Sequence, residues 1–411
     1  MKAFGGPNLL LLSIFVRNRR AFLILVVAVA AFKIILSAVA PASNDLRNII
    51  ALVASGQAPI GPWITLYPPL YNQTASNAGQ LQSWALTASL GSDPGLALLS
   101  LLFRLPVFLL DLATMIVLFY IGRKMKSPAK GRLMGLVWFL NPFSFMGVEL
   151  FGLPDVACVF LIALSFLLLV YEQPLLSAAA LGLGAYIKLF PILLLPPLLI
   201  YMHLNGAKRR NILCAAAVGV LGFLGYFAWV LPYGFTYLTT STPVTLLIPF
   251  FGGIQNTVNQ VTFGMFALYC LLFMFTKKAS ALPPFLTTLV AYFILAMPGP
   301  QYIIWLLPLI AVDVAFADRL KVFVVSALLA FAFFQWFLVS SAFLTPSGYS
   351  LLMFPLGGTT VPSYAIAIGN FLDSSLVGII ILPLISSATF ACLLAYAAEQ
   401  VRVWFSAPRI E

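Results

Sequence analysis

Charge is what this chain has least of. Charged residues fill 8% of its 411 positions against 62% for hydrophobic ones, and the mean hydropathy is +1.05. A soluble surface draws on roughly 25% charged residues, so a water-soluble domain is excluded. Histidine occurs once, at His203, and the four cysteines (Cys158, Cys214, Cys270 and Cys392) all lie inside apolar segments. Their spacing offers neither a metal site nor a disulfide framework, which leaves them as small apolar side chains. The sequence has no Gly-rich phosphate loop, no Ser-His-Asp order, no zinc motif and no nucleotide-binding cytoplasmic domain, which argues against an ATP-driven pump. Short alternating apolar segments are missing, so an outer-membrane barrel is excluded as well. Internal repeats and low-complexity stretches are also lacking.

Long apolar runs take their place. They recur along the whole chain, and a run of about 20 residues crosses a bilayer as a helix. The expected fold is therefore all-α, a polytopic membrane protein of about twelve transmembrane helices with both termini in the cytoplasm. A net charge of +11 is read as the mark of cytoplasmic loops, since the basic residues are scattered and lack the interleaved aromatics that stack nucleic-acid bases. Arg17, Arg19 and Arg20 hold the N-terminus inside ahead of the first run, Ala21 to Ala40. That run is too long, and lacks the small-residue cleavage end, for a removed signal peptide. Further inside markers are Arg123 to Arg132, Lys208 to Arg210, Lys277 with Lys278, Arg319 with Lys321, and Arg402 with Arg409. The division that follows is a cytoplasmic segment 1–20, one transmembrane domain 21–400 and a cytoplasmic tail 401–411. Outer loops fall near 41–95, 232–260, 298–302 and 344–373. Two short Pro-bearing runs near 176–204 are expected to be broken or re-entrant.

All but four of the 22 Lys and Arg residues follow this inside pattern, the exceptions being Lys33, Arg47, Arg104 and Lys188. Asp45, Glu149 and Asp155 fall on the same opposite side. Rare charges gathered on one face of a membrane protein point to a site there. Asp45, in Ser43-Asn44-Asp45-Leu46-Arg47, is either a helix N-cap or a carboxylate placed to take a proton from a hydroxyl. Asp155, after Pro154, is either a first-turn residue facing the helix dipole or, with Glu149, part of a polar site. Lys188 is either a snorkelling interface lysine or a counter-ion for a phosphate. An aromatic belt accounts for Tyr302 and Trp305 in the segment Pro298 to Pro308, but not for Gln301. Arg104 and Asp111 lie seven apart and so share a helix face, where each is expected to pair with a neighbouring helix.

In this order the outer motifs resemble the GT-C superfamily of polytopic glycosyltransferases. The likeness is in particular to the polyprenol-phosphate-mannose-dependent mannosyltransferases, the first mannosyltransferase of GPI-anchor assembly among them. It rests on Asp45 with Gly56, Pro59 and Tyr67-Pro68-Pro69; Arg104-Leu105-Pro106 with Asp111; Asn141-Pro142 with Gly152 and Asp155; Lys188 with Pro191; and Gln301-Tyr302 with Trp305 and Pro308. The resemblance spans roughly residues 30 to 310. It implies transfer of a sugar, mannose by preference, from a polyprenyl or dolichyl phosphate donor to a lipid-linked or glycan acceptor on the non-cytoplasmic face. Asp45 is then the base, Lys188 and Arg47 hold the donor phosphate, and Asp155, Glu149, Gln301 and Tyr302 hold the acceptor sugar. No cofactor is implied, and a divalent metal is left open. The membrane is that of a prokaryotic cell or the eukaryotic endoplasmic reticulum, and membrane lipids are partners while nucleic acid is not. The family often has a pair of acids where this chain has Asn44 beside Asp45. That departure keeps a second reading, a non-catalytic GT-C-like subunit of a membrane complex such as the GPI transamidase contains. A secondary transporter is the third, with Lys33 and Asp111 as its buried charges.

Overall fold

The structure is a computed structural model. It describes residues 14–39, 94–150, 152, 155–230, 264–265, 267–272, 281–296, 300–316, 319–342 and 382–406. Every regular element among them is helical, as the composition requires. In chain order these are α1 (Arg19–Val39), α2 (Pro94–Met125), α3 (Pro128–Phe139), a single turn Pro142–Ser144 running into a π-helical turn Phe145–Leu150, and α4 (Asp155–Val170). There follow α5 (Pro174–Ile187), a 3-10 turn Phe190–Leu194, α6 (Leu195–Leu204) and α7 (Arg209–Val230). Last come α8 (Leu282–Ala296), a 3-10 turn Pro300–Trp305, α9 (Leu307–Val314), α10 (Arg319–Ala342) and α11 (Leu382–Ser406).

Two of these helices contain stretches long and apolar enough to cross a membrane, Arg19–Ser37 in α1 and Arg104–Met125 in α2. Asp155–Val170, Pro174–Ile187, Phe190–Leu204, Leu282–Leu295 and Lys321–Phe333 are shorter apolar helices. The expected count of about twelve spans is thus met only in kind. The outer loops expected near 41–95, 232–260 and 344–373 lie almost wholly outside the described residues.

The chain divides into two compact units. One comprises Met1–Ile60, Ile64–Val156 and Leu329–Thr389; the other comprises Gly61–Trp63, Ala157–Leu328 and Phe390–Glu411. In the first unit, Asn18 caps α1 by accepting from the backbone N–H groups of Arg20 (2.9 Å) and Ala21 (3.3 Å). Ser127 caps α3 in the same way, its Oγ accepting from the Lys130 N–H, with Pro128 in the first turn. The α2–α3 hairpin closes because glycine stands at both contact points. A Cβ on Gly131 would overlap the Phe119 carbonyl, and one on Gly122 would come within 2.6 Å of the Gly131 backbone.

In the second unit α5 and α7 meet through Gly182 and Gly222, where a Cβ on Gly222 would overlap the Gly182 carbonyl. The run from 174 to 204 is broken, as expected. Lys188 is extended (φ −153, ψ 136), and the chain then winds through a 3-10 turn carrying Pro191 before resuming as α6.

Candidate functional site

Two of the exceptional charges, Lys33 and Arg104, are closed off in the first unit. Lys33 Nζ donates to Asp111 Oδ2 at 2.8 Å and to Ser144 Oγ at 2.7 Å, while the Ser144 hydroxyl donates to Asp111 Oδ1 at 2.8 Å. Three segments far apart in sequence are therefore tied into one closed ring. The Phe139 and Phe145 rings lie 4.7 and 4.5 Å from the ammonium and cover it further. Lys33, Asp111 and Ser144 are all 0% exposed. Arg104, equally buried, donates from Nη1 to the Ser37 carbonyl at 2.8 Å. Arg104 and Asp111 thus both reach across to α1, the structural role their shared helix face suggests. Chemically the ring neutralises an ammonium and a carboxylate in a dry interior.

In the second unit Lys188 and Tyr302, two residues expected at one site, do come together. Lys188 closes the C-terminus of α5, with its backbone N–H on the Gly184 carbonyl at 2.9 Å. Its half-buried side chain carries Nζ to 5.1 Å from the centre of the Tyr302 ring and 5.6 Å from that of Trp305. Trp305 anchors this box. It stacks flat on Phe190 at 3.7 Å and 4°, and it contacts Tyr302 at 4.7 Å, Phe293 at 6.1 Å and Tyr292 at 6.4 Å. Because Trp305 is 0% exposed, it is a packing residue rather than a member of a headgroup-level belt.

Of the other expected residues, Asp155 belongs to the first unit, and the rest lie wholly or in part outside the described residues. Asp155 opens α4 in its first turn and is buried, just after Gly152, whose φ of +61 turns the chain from the π-helical segment into α4. The Glu149 backbone belongs to the π-helical turn and that of Gln301 to the 3-10 turn, but both side chains lie outside the described residues. Asp45 and Arg47 also lie outside them.

A further polar centre lies on α9, at a residue that no sequence motif marks. Asp313, near the end of α9, accepts from Lys321 Nζ (2.8 Å), Tyr396 Oη (2.7 Å) and Gln400 Nε2 (2.7 Å). Its signal was an acid inside the apolar run 306–316, eight residues before a lysine counted only as a loop marker. It binds α9, α10 and α11 together within the second unit.

The family model described as GPI transamidase subunit PIG-U matches residues 83–246, which is less than half of the chain. That stretch holds Arg104, Asp111, Ser144, Asp155 and Lys188, and it ends before Gln301, Trp305 and Asp313. Comparison with curated proteins finds no match. The likeness to PIG-U agrees with the integral membrane protein that the apolar helices indicate. It overturns the expectation of an enzyme, a glycosyltransferase or mannosyltransferase drawing on a polyprenyl or dolichyl phosphate sugar and a lipid-linked acceptor, because the matching family is a transamidase subunit. Over residues 83–246 the chain is similar to a GPI transamidase subunit.

Proposed function

We propose that this chain is a non-catalytic, GT-C-like, multi-pass subunit of a membrane complex of the GPI-transamidase kind, working in the endoplasmic reticulum. The observation that carries the reading is the PIG-U likeness over residues 83–246. The geometry of that stretch agrees with it. Arg104, Asp111 and Ser144 link helices, as a scaffold requires, and are fully buried.

Depleting the chain from its own cells, while following a GPI-anchored reporter and its lipid precursor together, tests the reading. The expected result is reporter protein that keeps its C-terminal signal, alongside a build-up of GPI precursor with its full set of mannoses. A build-up of precursors short of mannose, or undiminished anchoring, would overturn the proposal.

A further inference from the structure

We infer that one end of the first unit is a binding surface for polyanionic lipid headgroups, of which a phosphoinositide is the best match. Two basic stretches more than a hundred residues apart meet there. Arg17, Arg19 and Arg20 stand at the start of α1, while Arg123, Lys124, Lys126, Lys130 and Arg132 surround the α2–α3 turn. No Asp or Glu occurs anywhere in residues 14–39 or 112–148.

The structure fixes the two stretches side by side. Arg132 donates from Nε to the Val16 carbonyl at 2.6 Å and from Nη2 to the Arg17 carbonyl at 3.4 Å. Because both acceptors are neutral, Arg132 ties the stretches together without losing its charge. Val16, Phe22 and Leu136 pack beneath as one apolar cluster flanked by Ala129 and Leu133, and Phe22 stacks on Phe119 with ring centres 6.5 Å apart. The Gly122–Gly131 contact brings the end of α2 against the start of α3 and gathers the five cations of residues 123–132 around the turn between them. Arg17, Arg19, Arg20, Arg123, Lys124 and Lys126 are exposed, while Lys130 and Arg132 are half-buried. The N-terminus of α3 lies in the same place and adds its partial positive charge.

Position selects the ligand. The surface sits at the ends of α1 and α2, which among the described residues carry the membrane-crossing stretches, so it lies level with lipid headgroups. It is also the end that the positive-inside rule assigns to the cytoplasmic leaflet, where anionic lipids concentrate. Clusters of four to eight Lys and Arg beside a membrane helix attract such lipids. Cations converging from two directions favour a headgroup with several phosphates, whose charges reach both stretches, over one with a single net charge.

Binding of dioctanoyl phosphatidylinositol 4-phosphate, phosphatidylserine and phosphatidylcholine to the purified full chain in neutral detergent tests this. The phosphoinositide is expected to bind at least about tenfold more tightly than phosphatidylcholine, with affinity falling as salt rises. Combining Arg19→Gln, Arg20→Gln, Lys124→Gln and Lys126→Gln should weaken it by about tenfold or more, whereas Lys208→Gln with Arg209→Gln and Arg210→Gln should change it less than about threefold. Equal binding of phosphoinositide and phosphatidylcholine, or an equal loss in both variants, would overturn the inference. The wild type gives a second measurement that needs no variant to fold. A phosphoinositide with a photoreactive headgroup, in phosphatidylcholine nanodiscs, should cross-link to peptides containing 14–20 and 123–132. Adducts confined to other peptides would refute the surface.

Discussion

An ammonium in the middle of an apolar helix has few stable options. Lys33 lies about 21 Å along α1 from Arg19, too far to reach back to the basic end. Left alone it would draw the helix outward or bring water in, at a cost of about 3 kcal/mol. Asp111 faces the mirror problem in α2, and Ser144 completes a ring that leaves neither charge uncompensated. Removing one partner is therefore worse than removing both. Lys33→Ala, which strands the carboxylate, should destabilise the fold by about 3–5 kcal/mol, while Lys33→Leu combined with Asp111→Leu should cost much less. Thermal unfolding in detergent, followed by size-exclusion chromatography, gives the order of the variants. A double variant as unstable as Lys33→Ala would show that the ring contributes through packing and not through charge. The sequence disclosed that Lys33 and Asp111 were out of place, because an isolated charge in an apolar run is conspicuous. It could not disclose Ser144, since serine in a helix attracts no notice until a partner is seen.

Helix contacts in this chain depend on missing side chains more than on large ones. Where α5 crosses α7, the Gly222 position faces the Gly182 carbonyl with no room for a Cβ. Gly222→Leu should therefore force the two helices apart, at a cost of about 1–3 kcal/mol or more. Leu221→Ala, at an exposed neighbour on the same helix, should be nearly neutral. Protease resistance of the 174–230 region in native membranes separates the two, and an unchanged Gly222→Leu would refute the close crossing. Such contacts are hard to read from sequence, because glycine is common in membrane helices and nothing marks which ones touch. The break within 174–204 was legible, since Pro191 with Pro196 and Pro197 cannot continue one regular helix. The aromatic box around Lys188 was half legible. Tyr302 and Trp305 stood out, but the flat Phe190–Trp305 stack joins residues over a hundred positions apart, and no local pattern encodes it.

At the scale of the whole molecule, the helical membrane class was legible from composition, while the function was misread. Under the proposed reading, motifs such as Asp45, Asn141-Pro142, Lys188-Leu189-Phe190-Pro191 and Gln301-Tyr302 mark a fold, and a fold does not by itself carry a chemistry. Trp305, Pro191 and Asn141 illustrate the point. They are held by packing, a helix break and an N-cap, in which Asn141 accepts from the Phe143 N–H at 2.9 Å, and none of these needs a substrate. Asp45 now separates the two functions directly. A sugar transferase that lost its base would slow by about 100-fold or more. A structural subunit has no proton to move at that position. In cells depleted of the chain, Asp45→Asn is expected to restore GPI attachment of a reporter to the wild-type level, whereas Lys33→Ala, which weakens the fold, should restore it only in part. Surface reporter and chain abundance, measured in the same cells, distinguish a lost function from a lost protein. Normal abundance of Asp45→Asn with no restored anchoring would return that carboxylate to a direct role and end the scaffold reading.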